Sequence, residues 1–140
     1  MRRYLIVAHR TLGGPHLLEE VQRRREADGG RCAFHLLVPM EHSGATWTEG
    51  SSMAAAEHVV EDGIARFAEH GIDVTGEVGD SYPVYAVETL LRTGQDFDEI
   101  LLSTLPPGPS RWLKLDVPAR LRKAVAIPVT HVIAEREPAL

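Results

Sequence analysis

The chain has 140 residues and a mass of 15.4 kDa, room for one domain with one core and none for an added catalytic domain. Hydrophobic residues make up 44% and charged residues 25%, which excludes a disordered chain, and a formal net charge of -5 argues against a general binder of nucleic acid or of an anionic membrane. A single cysteine, Cys32, excludes an intramolecular disulfide and a thiolate zinc cluster; it reads as a small core residue of a protein in a reducing compartment.

The opening MRRYLIVAHR carries an apolar run too short for a signal-peptide core, and no stretch approaches the ~20 apolar residues that span a bilayer. It reads as the first strand of a cytoplasmic protein. Tyr4 to Ala8 is continuously apolar, as a central strand buried on both faces requires. Thr11 to Pro15 is a turn with proline placed to open a helix, whose inner face takes Leu17, Leu18, Val21 and the stem of Arg25 before Asp28-Gly29-Gly30 stops it. Cys32 to Val38 repeats the buried-strand pattern, and Pro39 ends it.

Residues 40–52 lack periodicity and form the longest loop, with Trp47 as its anchor. Ser51 or Ser52 caps the next helix, with Ala56, Val59 or Val60, Ile64, Phe67 and Ala68 facing inward. Ile72 to Val78 alternates apolar and polar residues, the period of an edge strand. Gly79 to Pro83 turns into a helix built on Val84, Val87, Leu90 and Leu91. Glu99 to Ser103 is a fourth strand, and the segment from Thr104 to Trp112 is a loop stiffened by three prolines. Asp116 caps a last helix through Lys123, and Pro128 to Ile133 is a fifth strand.

Strict alternation of strands and helices predicts an α/β fold: a five-stranded parallel sheet, doubly wound, with helices on both faces. Ligands in such sheets sit beyond the carboxyl ends of the strands, where the strand order reverses. That rule selects residues 9–14, 39–40 and 103–111. Ala8, His9, Arg10 and Thr11 follow the central strand, Gly13 and Gly14 offer backbone N–H groups near a helix start, and Pro39 and Met40 end the second strand. Ser103 and Thr104 end the fourth strand, with Gly108, Ser110 and Arg111 on the proline loop. An imidazole, two guanidiniums and several hydroxyls in one place suit a small anionic ligand. Charge runs the same way: residues 1–36 carry 7 basic and 4 acidic side chains, residues 37–99 carry 2 and 13, and residues 100–140 carry 6 and 3. An anion site is therefore expected from the two ends of the chain. Trp112 either lies against a base or packs locally.

Seven histidines show no metal-ligand spacing, and neither a G-x-S-x-G elbow nor a reactive cysteine environment is present. No catalytic residues and no metal ligands are assigned.

Over essentially its whole length the chain resembles the universal stress protein family. The resemblance rests on the order of elements, the opening strand YLIVA, the long loop before the second helix, the Gly79-Asp80 turn with its proline, and the closing IPVTHVI. It implies a Rossmann-like sheet of strand order 3-2-1-4-5, related to the adenine nucleotide alpha hydrolase fold. It also implies a homodimer through the last strand, Val129 to Ile133, and in one branch ATP or AMP as ligand. That branch carries an acid after strand 1 and a G-x2-G-x9-G-[S/T] motif after strand 4. Here the first site holds Ala8, His9 or Arg10, and the motif positions hold Ser103, Pro106, Asp116 and Val117. Proline has no N–H to offer a phosphate and an aspartate repels it. The expectation is a divergent, non-enzymatic stress-response or regulatory module with a modified ligand pocket. Two alternatives stay open: an ATP- or AMP-binding member, and an enzyme or sensor for another small anion at His9, Arg10, Ser103 and Arg111. The HxGH and SGGxDS signatures of related enzymes are absent, and so are the acids of a receiver domain.

Overall fold

Arg2–Val7 forms β1, the middle strand of a five-stranded parallel sheet of order β3-β2-β1-β4-β5. The computed structural model describes residues 1–12, 14–41, 48–108 and 110–134. The other strands are β2 (Cys32–Pro39), β3 (Val74–Gly79), β4 (Glu99–Thr104) and β5 (Val129–Ile133), all joined in parallel register. Helices α1 (Pro15–Ala27), α2 (Glu49–Glu69), α3 (Pro83–Arg92), α4 (Arg111–Lys114) and α5 (Val117–Ala124) fill the connections.

The period-2 geometry of the strands divides the core in two. Tyr4, Ile6, Phe34, Leu36 and Leu101 point to the side covered by Leu17 and Val21 of α1 and Ala56, Val60 and Phe67 of α2. Leu5, Val7, Leu37, Ile100 and Leu102 point to the other side, under Val84, Val87 and Leu90 of α3 and Val117 and Leu121 of α5. Both faces are covered, which is why the strands read as unbroken apolar runs. Two glycines set how closely helices approach the edge strand. A Cβ on Gly76 would lie 2.8 Å from Val60 Cγ1, and one on Gly79 would lie 2.8 Å from Ala86 Cβ.

Several local expectations are corrected. The first strand runs Arg2–Val7, so Ala8 lies beyond it, and Ile72 is a buried residue of the connection ahead of β3. Arg24, not Arg25, turns inward on α1, because it stands seven residues from Leu17 and completes two turns. Thr48 caps α2: its Oγ1 accepts from Ser51 N at 3.0 Å while Ser51 Oγ accepts from Thr48 N at 3.0 Å. On that helix Gly63 is buried and Ala68 is exposed, and Trp47 lies outside the described residues. Cys32 is only half-buried. The proline loop contains a one-turn helix, α4, and Asp116 sits at the N-cap of α5 without a side-chain capping bond. Its backbone is left-handed, with φ 57°, a conformation aspartate tolerates better than most side chains.

Among the described residues no helix is long and apolar enough to cross a membrane, and no group of three or more His, Cys, Asp or Glu is placed to hold a metal ion.

Candidate functional site

The carboxyl ends of β1, β2 and β4, the turn entering α3, and α4 enclose a cleft of about 270 Å3. It lies at the point where strand order reverses, between β1 and β4, as the topology requires. Its volume is slightly under the usual ~300–1,000 Å3 of small-molecule sites.

The floor is made by hydroxyls. Thr11 Oγ1 and Ser103 Oγ, both buried, are 2.6 Å apart and join the ends of β1 and β4. Thr104 Oγ1 lies 2.8 Å from His131 Nε2 on β5. Ser110 caps α4, its Oγ accepting from Leu113 N at 3.1 Å. At the β1–β2 end, Arg10 Nε donates to Glu41 Oε1 at 3.2 Å, and His9 Nδ1 lies 3.7 Å from the same oxygen. That nitrogen is sealed from solvent and has no hydrogen-bond partner among the described residues. Arg111 is exposed on the far wall beside Trp112. Tyr82 and Trp112 line the cleft while packing against the α3–α5 core, and Met40, Leu105 and Leu115 complete an apolar rim.

Of the residues selected from the sequence, His9, Arg10, Thr11, Met40, Ser103, Thr104, Ser110 and Arg111 line the cleft. Ala8 does not; it is fully buried behind the site in the α1–α2 core. Gly14 spends its N–H on a turn, donating to Thr11 O at 2.9 Å, and Gly13 lies outside the described residues. Pro39 is buried at the end of β2, and Gly108 sits in an exposed turn with φ 101°. Neither lines the cleft. Glu41, Ser81, Tyr82 and Leu115 also line it and were not foreseen, while Leu105 falls inside the selected segment 103–111 without having been singled out. The strand-end rule, carried one residue past Met40 and applied to β3, would have found Glu41 and the Ser81-Tyr82 turn. The middle of the chain contributes Met40, Glu41, Ser81 and Tyr82 beside the residues from the two ends.

A glycine cradle for a triphosphate does not fit these residues. Of the four motif positions only Ser103 lines the cleft, and its hydroxyl is already bonded to Thr11. Pro106 has no N–H, and neither Asp116 nor Val117 borders the cavity.

Burial pushes the His9 imidazole below the ordinary histidine range; the Arg10 charge adds to this and Glu41 opposes it. His131 is pushed down by burial and by Arg122. A histidine whose folded pKa is lowered binds protons more readily in the unfolded chain. Its contribution is fully present above its unfolded value of about 6.5 and is lost as pH falls from there through the folded value. Moving from about pH 7.5 to about pH 5.5 is therefore expected to lower the urea midpoint, and the slope should flatten in a His9→Asn/His131→Asn variant. An unchanged slope would show that neither imidazole carries the effect.

No protein-family model and no curated protein matches the sequence. Solved structures do match in shape. A universal stress protein from Archaeoglobus fulgidus superposes with a TM-score of 0.64 over 94% of this chain and 93% of its own, at 10% identity. One from Arabidopsis thaliana with AMP bound gives 0.64 at 12% identity, covering 96% and 93%. The chain has the fold of the universal stress proteins. A universal stress protein in complex with cAMP, at 16% identity, superposes with a TM-score of 0.57 over 94% of this chain and 96% of its own. The universal stress protein fold thus accounts for the strand order 3-2-1-4-5 and for the position of the cleft.

Proposed function

We propose that the chain is a universal stress protein-like regulatory module of the cytoplasm that binds a small anionic ligand in the β1–β4 cleft without turning it over. The observation that carries this reading is the convergence of His9, Arg10, Thr11, Ser103, Thr104, Ser110 and Arg111 on one cavity at the topological switch point. Two neighbours of this fold are described with AMP or cAMP bound, so an adenine mononucleotide is the first ligand class to test. Tyr82 and Trp112 supply aromatic surface for a base, and Arg111 supplies a cation for its phosphate. ATP held through a glycine cradle is disfavoured by Pro106 and by the position of Asp116.

Calorimetric titration with AMP, cAMP and ATP is expected to give saturable binding of a mononucleotide, lost at least ~10-fold, or about 1.4 kcal/mol, in an Arg10→Ala/Arg111→Ala variant. Chromatography of the nucleotide afterwards should recover it unchanged. Unaltered affinity in the double variant would remove the cleft from the account, and release of product would move the protein to the enzymes.

The same reading includes a homodimer through β5. Among the described residues this strand is an edge of the sheet, and Ile133 leaves 43% of its surface exposed there. Val132 is only 7% exposed, so a charge at that position would also damage the monomer. Ile133→Glu is the cleaner probe. Light scattering should give a dimer for the parent and a monomer for Ile133→Glu; equal masses would exclude this edge.

A further inference from the structure

We propose that Glu41 sets the charge of the ligand the cleft accepts, admitting one anionic group and rejecting a polyanion. The inference rests on the cleft being the ligand site and deepens that reading.

Among the described residues the ionic side chains that line the cavity are Arg10, Glu41 and Arg111, beside the His9 imidazole, whose Nδ1 lies 3.7 Å from Glu41 Oε1. Arg10 and Glu41 are bonded at 3.2 Å, so the carboxylate offsets this guanidinium at the β1–β2 end. Glu41 also keeps 33% of its side chain exposed, and as a lining residue it faces whatever enters. Arg111, on the opposite wall, has no carboxylate on it among the described residues. The cavity therefore has one end with a cation that no described carboxylate pairs and one end where the cation is offset by Glu41.

Glu41 is the one carboxylate among the described residues that line the cleft of about 270 Å3, so each negative charge added to a ligand there is brought nearer to it than in free solution. A like charge brought against an oriented carboxylate in a partly desolvated cleft is rejected strongly, because burial weakens screening. A ligand with a single phosphate or carboxylate on Arg111 and an uncharged body toward Glu41 meets no such penalty.

The test compares AMP with ATP, each without metal and at matched ionic strength, on the parent protein and on Glu41→Gln. The parent should bind AMP more tightly than ATP. Glu41→Gln should tighten ATP by ~10-fold or more and AMP by less than ~3-fold, a like charge having been removed. Glu41→Ala should shift the ratio in the same direction, and thermal melts should find both variants folded. Equal changes for the two nucleotides, or none, would overturn the role of Glu41 while leaving the cleft as the ligand site. Absence of nucleotide binding in the parent would overturn the ligand site and this inference with it.

Discussion

Arg24→Met is expected to destabilise the protein by about 2–3 kcal/mol, more than a surface ion pair is worth. Arg24 is the centre of a cluster at the amino-terminal end of the sheet. Its Nε and Nη2 donate to the two oxygens of Glu99 at 3.0 and 2.7 Å, and its Nη1 pairs with the Glu20 carboxylate. Thr130 donates its hydroxyl to the same Glu99 carboxylate. Only 17% of the Arg24 side chain and 14% of the Glu99 side chain remain exposed. Burial pushes Glu99 up, but the hydrogen bonds from Arg24 and Thr130 outweigh it and hold the carboxyl below its ordinary range.

Methionine keeps the stem of Arg24 and deletes the cation, so two carboxylates lose their common partner in a half-buried site. The loss stops short of the ~3–5 kcal/mol of a fully buried pair because the cluster keeps some water. Adding Glu99→Gln should recover more than half of it, since the unpaired charge is what costs. Urea unfolding of the two single variants and the double variant gives the coupling. A single-variant loss under ~0.5 kcal/mol would reduce the cluster to an ordinary surface contact.

The second large effect is expected at Gly79, where β3 turns toward the cleft. A Cβ at this position would stand 2.8 Å from Ala86 Cβ and 2.9 Å from Leu37 Cδ1. Leu37 can shift its side chain, but the methyl of Ala86 is fixed to α3, so the helix must move. Gly79→Val should therefore destabilise by about 2–3 kcal/mol, the upper part of the range for overpacking. It should also weaken ligand binding, because Ser81 and Tyr82, which line the cleft, lie between Gly79 and α3. Gly50→Ala is the control. Its Cβ would meet nothing closer than Thr48 Oγ1 at 3.9 Å, and alanine favours the helix. If Gly79→Val unfolded at the parent's urea concentration, the close approach of α3 to the sheet would be refuted.

The fold was legible because its strands are buried on both faces. Runs such as YLIVA and EILLS have no other economical use in a chain of this size, and alternation with helices leaves one sheet type. What escaped was local. Helix α4 is four residues, RWLK, inside a proline-rich segment, too short to show a period. The cap of α2 is Thr48 because the helix begins two residues ahead of Ser51, and a run of Thr, Ser and Gly cannot rank its own caps.

The site was half legible for a related reason. Residues that follow strands β1 and β4 are placed by topology, so His9 to Thr11, Ser103 and Thr104 could be chosen in advance. Glu41, Ser81 and Tyr82 were within reach of the same rule at the ends of β2 and β3, but the final path of those connections also depends on how α2 and α3 pack, which Gly76 and Gly79 constrain. The pairing of Arg10 with Glu41 is likewise a tertiary event, 31 residues apart in the chain. It is this pair that offsets one of the two guanidiniums lining the cleft.

The central claim is that the β1–β4 cleft is a ligand site. Backbone amide NMR during titration with AMP tests it most directly. The account predicts saturable shifts confined to residues 9–11, 40–41, 81–82, 103–105, 110–112 and 115, the walls of the cleft. Shifts gathered instead on the α2–β3 groove around Met53, Glu57 and Glu77, or no shifts at millimolar nucleotide, would contradict it.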